Sequence, residues 1–310
     1  MLTTTQKKTA QAIVNIFETG SVLGDYGNVT VIRGDTGHLT FGRSQTTLGS
    51  GNLLKLLQSY CDNPGARFAA KLSPYLARFA AGDLTLDTDL HLHNILRATA
   101  DDLVMRETQD QFFEKVYWQV AANSAAQFGI TTPLGLAVVY DSIIQGSWKT
   151  IRDRTNIQSG SITALGEQRW ISAYVATRHQ WLATHPRSDL RPTAYRMDAM
   201  QRLVDQDYWG LPLPLVVRGA EISDVTLNGN PPGCYHGPEP GSRVLTVTSP
   251  LQRGLDVRLV QLGLSERGIN IKADGIFGNT SVKLIKEYQA KAGLPVTGVM
   301  DIALIAQLVA

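Results

Sequence analysis

Residues 228–241 read Asn-Gly-Asn-Pro-Pro-Gly-Cys-Tyr-His-Gly-Pro-Glu-Pro-Gly, and ten of the fourteen are Gly, Pro or Asn. Proline removes a backbone donor and glycine opens positive φ, so this run cannot be the interior of a helix or strand. It divides the chain unequally. Residues 1–218 are expected as one large domain, 219–244 as a Pro/Gly-rich linker, and 245–310 as a smaller unit. A total of 310 residues suits two domains. The C-terminal unit is long enough to fold alone, though only around a small core.

The large region is mostly helical in pattern. Ala10, Ile13, Val14 and Phe17 recur at the spacing of one buried helix face, which predicts a helix from about Thr5 to Glu18, stopped at Gly20. Val29–Ile32 and His38–Phe41 flank a Gly-containing loop, the pattern of a β-hairpin. Helical periodicity returns over 52–60, 68–79, 90–123, 134–145, 167–184 and 193–207, with Pro133 suited to a first helical turn. The expected class is mainly α, with a short β-hairpin.

Lys and Arg number 29 against 27 Asp and Glu, a formal charge of +2. No clustered basic excess marks a nucleic-acid partner. The longest apolar runs fall far short of the ~20 residues that span a bilayer. Residues 1–10 are polar, without the apolar stretch of a secretory signal. Cys61 and Cys234 allow at most one disulfide and no cysteine-rich zinc site. His91 and His93 point to different faces of a helix, and Gly24, Gly27 and Gly34 form no phosphate-binding loop, so neither a metal nor another cofactor is expected. Tyr117, Trp118, Trp170 and Trp181 suit either a helical core or a sugar-lined cleft, the core being the commoner use.

Glu18 closes the first helix and Asp35 lies in the hairpin loop. A helix end beside a hairpin can present two carboxyls from opposite walls, as glycoside hydrolysis requires: one protonates the leaving oxygen and the other activates water. On pattern alone most carboxyls are solvated surface groups. Asp35-Thr-Gly37 also matches an aspartic-protease tripeptide, but that chemistry needs two such loops and this chain has one.

Phe17-Glu-Thr-Gly20, Tyr26-Gly27 and Gly34-Asp-Thr-Gly-His-Leu-Thr-Phe-Gly42 resemble the N-terminal signature of family 46 glycoside hydrolases, the chitosanases. The resemblance spans about residues 6–210 and implies a two-lobed, lysozyme-like helical fold. It implies Glu18 as catalytic acid, Asp35 as general base and Thr40 as the residue that helps hold the attacking water. Val139-Tyr-Asp-Ser-Ile-Ile-Gln145 looks like the family's buried helix, with Asp141, Arg178 and Arg196 as a charge network supporting the acid. Tyr26, His38, Arg43 and Asn52 are the candidate substrate contacts. Two positions depart from the family: its Arg after the base is absent at Thr36-Gly-His38, and Asn52 stands where an Asp is common. Asn52 cannot make a charge-assisted contact with an ammonium, and Arg43 would oppose a polycation.

Asp274-Gly-Ile-Phe-Gly278, Thr280, Ile285, Tyr288-Gln289, Gly293-Leu294 and Gly298 resemble a small three-helix peptidoglycan-binding domain. Asn279 or Thr280 would cap its middle helix, with Val282, Ile285 and Tyr288 facing the core. The two resemblances imply an endo-acting, inverting hydrolase of a β-1,4-linked amino-sugar polymer, chitosan first, with polymer or cell-wall contact through 245–310. A muramidase acting on peptidoglycan is the alternative, and a non-catalytic wall-binding protein a second. Such a protein is expected outside the cell or at the cell wall.

Overall fold

The structure is a computed structural model that describes residues 2–43 and 45–309. It divides into two compact units, one joining Met1–Gly24 to Gln111–Gly229 and the other joining Asp25–Asp110 to Asn230–Ala310.

The first unit is built on the helix Thr4–Thr19. The Thr3 side chain and Gln6 close a capping box at its start, and Gly20 ends it at φ 74°, where a β-carbon would be strained. Its buried face carries Ala10, Ile13, Val14 and Phe17, as the periodicity predicts. It packs on the helix Pro133–Ile144, which Thr132 caps and Pro133 opens. Leu134 to Ser142 are all buried, because this helix is apolar around its whole circumference. Trp170 is wholly buried and meets Phe128, Trp148 and Tyr174 in one aromatic cluster, with ring centroids 4.8–6.1 Å away. Trp118 is buried in the core as well, and the half-buried Tyr117 and Trp181 pack against it.

In the second unit the expected hairpin is a three-stranded antiparallel meander. Strands β1 (Val29–Thr30), β2 (Thr40–Phe41) and β3 (Thr46–Thr47) pair Thr30 with Thr40 and Thr40 with Thr47. The strands are shorter than the pattern suggests, and β3 was hidden in a run of polar residues. The helical stretch expected over 90–123 is broken at Asp102, which is extended (ψ 118°). Its carboxylate accepts from the Tyr60 hydroxyl, Arg67 N–H and Val104 N–H, so it caps the next helix, Leu103–Phe113.

Helices Leu255–Glu266, Asn279–Lys291 and Ile302–Val309 enclose a core that includes Val257, Phe277, Ile285, Met300 and Ile305. The middle helix starts at Asn279, with Gly278 as its N-cap and no side-chain capping bond. Asn279 and Thr280 therefore lie inside the helix they were expected to cap.

Residues 219–244, read from the sequence as a linker, carry substantial order. Strand β5 (Ala220–Ile222) pairs with β4 (Leu215–Val217), and a one-turn helix follows at Asp224–Leu227. Cys234 is buried beside Tyr26 and Ala100, and both cysteines are free thiols. The C-terminal helices share their unit with 25–110 through specific polar contacts. Asn94 Nδ2 donates to the Ile271 carbonyl (2.7 Å), and Asn94 Oδ1 accepts from Ala273 N–H (3.0 Å). Arg258 Nε lies 2.8 Å from Asp101 Oδ2, with both side chains almost fully buried. No helix among the described residues is long and apolar enough to cross a membrane.

Candidate active site

Glu18 is the penultimate residue of the first helix, where the last turn projects its side chain beyond the buried face. Arg196, near the start of the helix Tyr195–Asp205, places Nη2 2.7 Å from Glu18 Oε1 and Nη1 2.8 Å from Asp141 Oδ1. Arg178 Nη1 reaches the other Asp141 oxygen at 2.5 Å. Its remaining nitrogens donate to Gln145 Oε1 (2.6 Å) and Ser147 Oγ (3.0 Å). Asp141 and Arg178 have no solvent exposure, whereas the Glu18 side chain keeps 20%.

The network thus runs from a sealed core to a partly open carboxyl. With Glu18 ionised its four charges sum to zero. Burial alone would raise the Asp141 carboxyl, but the two guanidiniums outweigh it and hold it below the usual carboxylate range. Burial weakens the charged form of Arg196, and Asp141 and Glu18 together push its affinity for the proton above the ordinary arginine value. Arg196 therefore stays charged. The Tyr195 hydroxyl donates to the Phe17 carbonyl (2.9 Å), tying the end of the first helix to the segment that carries Arg196.

Asp35 and Thr40 belong to the second unit. Asp35 is exposed in the turn between β1 and β2 and lines an open pocket of about 470 Å³ with Val31, Ile32, Thr36, His38 and Asp87. A β-carbon at Gly37 would come 2.9 Å from Asp35 Oδ2, and one at Gly49 only 2.2 Å from the Thr36 carbonyl oxygen. Glycine at these positions lets the turn fold closely over β3. Thr40 is nearly buried and its hydroxyl donates to the His38 carbonyl (3.0 Å).

The four candidate substrate contacts divide. The Tyr26 hydroxyl donates to Asp110 Oδ1 (2.7 Å) and accepts from Arg43 Nη1 (3.0 Å), while Arg43 itself pairs with Asp110. Burial and the Asp110 carboxylate keep the Tyr26 hydroxyl protonated. The charge on Arg43 is thus met by Asp110, which removes the argument that it would repel a polycation. The His38 ring points to Asp87. Asn52 opens the helix Asn52–Cys61 and is half-buried. Ser147, Asp87 and Asp110 were not singled out from the sequence. Each meets its partner 31 to 84 positions away, a separation that leaves no local pattern to read. No group of three or more His, Cys, Asp or Glu among the described residues could hold a metal ion.

Residues 12–215 match the model for glycosyl hydrolase family 46. The chain belongs to this family. Residues 253–308 match a putative peptidoglycan binding domain. A chitosanase of Bacillus subtilis (strain 168) is 26% identical over 236 residues, covering 72% of this chain and 85% of the relative. A mutant chitosanase from Bacillus subtilis MY002, complexed with 6 GlcN, is 26% identical with a TM-score of 0.61, covering 70% of this chain and 96% of that one. A Gynuella sunshinyii GH46 chitosanase in complex with chitotetraose is 27% identical with a TM-score of 0.59, covering 72% and 98%. The family 46 chain is a glycoside hydrolase with a mainly helical fold. Its Glu18, Asp141, Arg178 and Arg196 are joined in one unit, and its Asp35, Thr40, His38, Tyr26, Arg43 and Asn52 lie in the other.

Proposed function

We propose that this family 46 hydrolase cleaves β-1,4 bonds within chitosan chains by an inverting mechanism. Glu18 delivers a proton to the leaving glycosidic oxygen. Asp35 takes a proton from the water that attacks the anomeric carbon from the opposite face, and Thr40 holds that water. One bond to carbon breaks as the other forms, so no covalent glycosyl-enzyme is required. The observation that carries this reading is the ion pair of Glu18 with Arg196, itself anchored on the buried Asp141. An acid fixed by one of its oxygens presents the other in a constant direction, as proton transfer in a transition state demands. Similar chitosanases bind glucosamine oligomers, which supports chitosan as the polymer.

A second reading takes peptidoglycan as the polymer. It is supported by the match at 253–308 and by the loss of a carboxylate at Asn52. In either case residues 245–310 supply contact with the polymer or wall, and the protein acts outside the cell or at the wall. Product release from chitosans of graded acetylation and from purified peptidoglycan tests the choice. Chitosan activity that falls with acetylation, giving an α-anomer first by proton NMR, is expected. An initial β-anomer would overturn inversion, and release from peptidoglycan alone would overturn chitosan.

A further inference from the structure

Family resemblance leaves the turn after Asp35 without its arginine, and the structure holds that turn by other means. His38 has a left-handed backbone, φ 58°, a conformation that a residue with a β-carbon keeps only when its surroundings impose it. Asp87 imposes it. His38 Nδ1 lies 2.9 Å from Asp87 Oδ2, and Leu39 N–H donates to Asp87 Oδ1 at 2.8 Å. A carboxylate oxygen accepts, so the Nδ1–H form of the imidazole suits this contact.

Asp87 is itself on a rigid support, the 3₁₀ segment Leu84–Thr88. Asp83 caps its start by accepting from Thr85 N–H (2.9 Å), and Asp89 caps the following helix by accepting from Leu92 N–H (2.9 Å). Arg78 ties Asp83 (2.8 Å) to Asp89 (3.2 Å), and Leu86, beside Asp87, is wholly buried. A side chain on so constrained a segment can act as a fixed post for a surface turn.

The turn held by that post carries Asp35 at one end and Thr40 at the other. The His38 carbonyl, whose direction follows from the left-handed backbone, accepts the Thr40 hydroxyl. We propose that Asp87 is a positioning residue for hydrolysis: through His38 and Leu39 it fixes the turn that bears Asp35 and aims the Thr40 hydroxyl. This inference rests on the roles given above to Asp35 and Thr40. In this role Asp87 acts through its bonds to His38 and Leu39. Its effect is geometric, and a misplacement of about 1 Å in a reacting group can lower a rate by around 100-fold.

The test is steady-state hydrolysis of a soluble glucosamine oligomer by the full chain. Asp87→Ala should lower kcat at least tenfold with KM within about twofold, because turnover depends on the aim of Asp35 and Thr40 more than ground-state binding does. Asp87→Asn, which keeps an oxygen for Leu39 N–H, should recover kcat to within about threefold of wild type. His38→Ala should lose kcat to a similar degree, and the double variant Asp87→Ala/His38→Ala should fall no further than Asp87→Ala alone. Where Asp87→Ala melts below the assay temperature, His38→Ala carries the same test. A wild-type kcat in Asp87→Ala and His38→Ala, or losses that multiply in the double variant, would overturn the positioning role. Asp35→Asn, measured alongside, separates the two ideas. If it is inactive while Asp87→Ala is unaffected, only the positioning role falls; if it is fully active, both fall.

Discussion

Removing the Asp141 carboxylate leaves Arg178 and Arg196 facing each other in a sealed interior. Asp141 has no exposed surface, and it accepts one guanidinium on each oxygen. Deleting one partner of such a buried network costs about 3–5 kcal/mol, since Arg178 would keep only the neutral partners Gln145 and Ser147 and Arg196 only Glu18. For a unit of this size, about 2–4 °C of melting temperature accompanies each kcal/mol. Asp141→Ala should therefore lower Tm by roughly 6–20 °C. Asp141→Asn should lose somewhat less, because its amide oxygen still accepts one hydrogen bond. Activity should fall as well, since Arg196 loses the anchor that sets its distance to Glu18. Calorimetry at pH 7 reads the first effect, and kcat on a soluble oligomer well below Tm reads the second. A variant melting within about 2 °C of wild type would refute the reasoning.

The same network has a pH signature. The Asp141 carboxyl is held below its ordinary value of 3.8, so the folded chain binds its proton less readily than the unfolded chain does. Stability from this group is complete above the unfolded value and fades as pH falls through the folded one. Wild type should lose stability steeply as the pH drops below about 4, and Asp141→Asn should show a shallower acid limb. Parallel acid limbs for the two proteins would contradict the assignment.

Three further outcomes are expected. Glu18→Gln keeps the shape of the side chain but has no proton to transfer, so kcat should fall at least ~100-fold at an unchanged circular dichroism spectrum; near-normal turnover would move the acid elsewhere. Asn52→Asp should raise kcat/KM on poorly acetylated chitosan about 10- to 100-fold, the worth of a charge-assisted contact, and identical profiles on both polymers would show that this position does not read substrate charge. Arg258→Ala strands the buried Asp101 and should cost about 3 kcal/mol. This is the lower end of the range, because burial already pushes the Asp101 carboxyl up and protonation relieves it. An unaltered unfolding transition would show the pair to be inconsequential.

What the sequence made legible followed chain proximity. The first helix, its glycine stop and its buried face depend on residues within four positions of one another, and all could be read from spacing. The strands were harder. Those of the meander have two residues each, and β3 consists of Thr46 and Thr47, held by pairing with Thr40 and Phe41 rather than by any alternation of its own. The break at Asp102 was invisible because the surrounding helical periodicity continues through it, while the partners that decide its conformation, Tyr60 and Arg67, lie 42 and 35 residues away. The network around Asp141 came only from family resemblance, since nothing in spacing joins 141 to 178 and 196. The partner of Arg43 was equally out of reach, since Asp110 lies 67 residues further along the chain.

The run of turn formers from 228 to 241 was sound evidence about backbone and poor evidence about independence. Proline and glycine exclude regular elements, but they do not prevent a segment from being packed. Arg258 donates to the Gly233 carbonyl and pairs with Asp101, and Tyr235 N–H donates to the same aspartate. An irregular segment needs side-chain partners for its backbone groups, and a buried arginine with five directed donors supplies several at once. Arg196 does comparable work in the other unit, dividing its fork between Asp141 and Glu18. Well-packed apolar residues could have filled either space at less desolvation cost. What they could not do is fix a direction. In one unit that direction belongs to a carboxyl at the end of a helix, and in the other to a chain crossing that has no secondary structure to hold it.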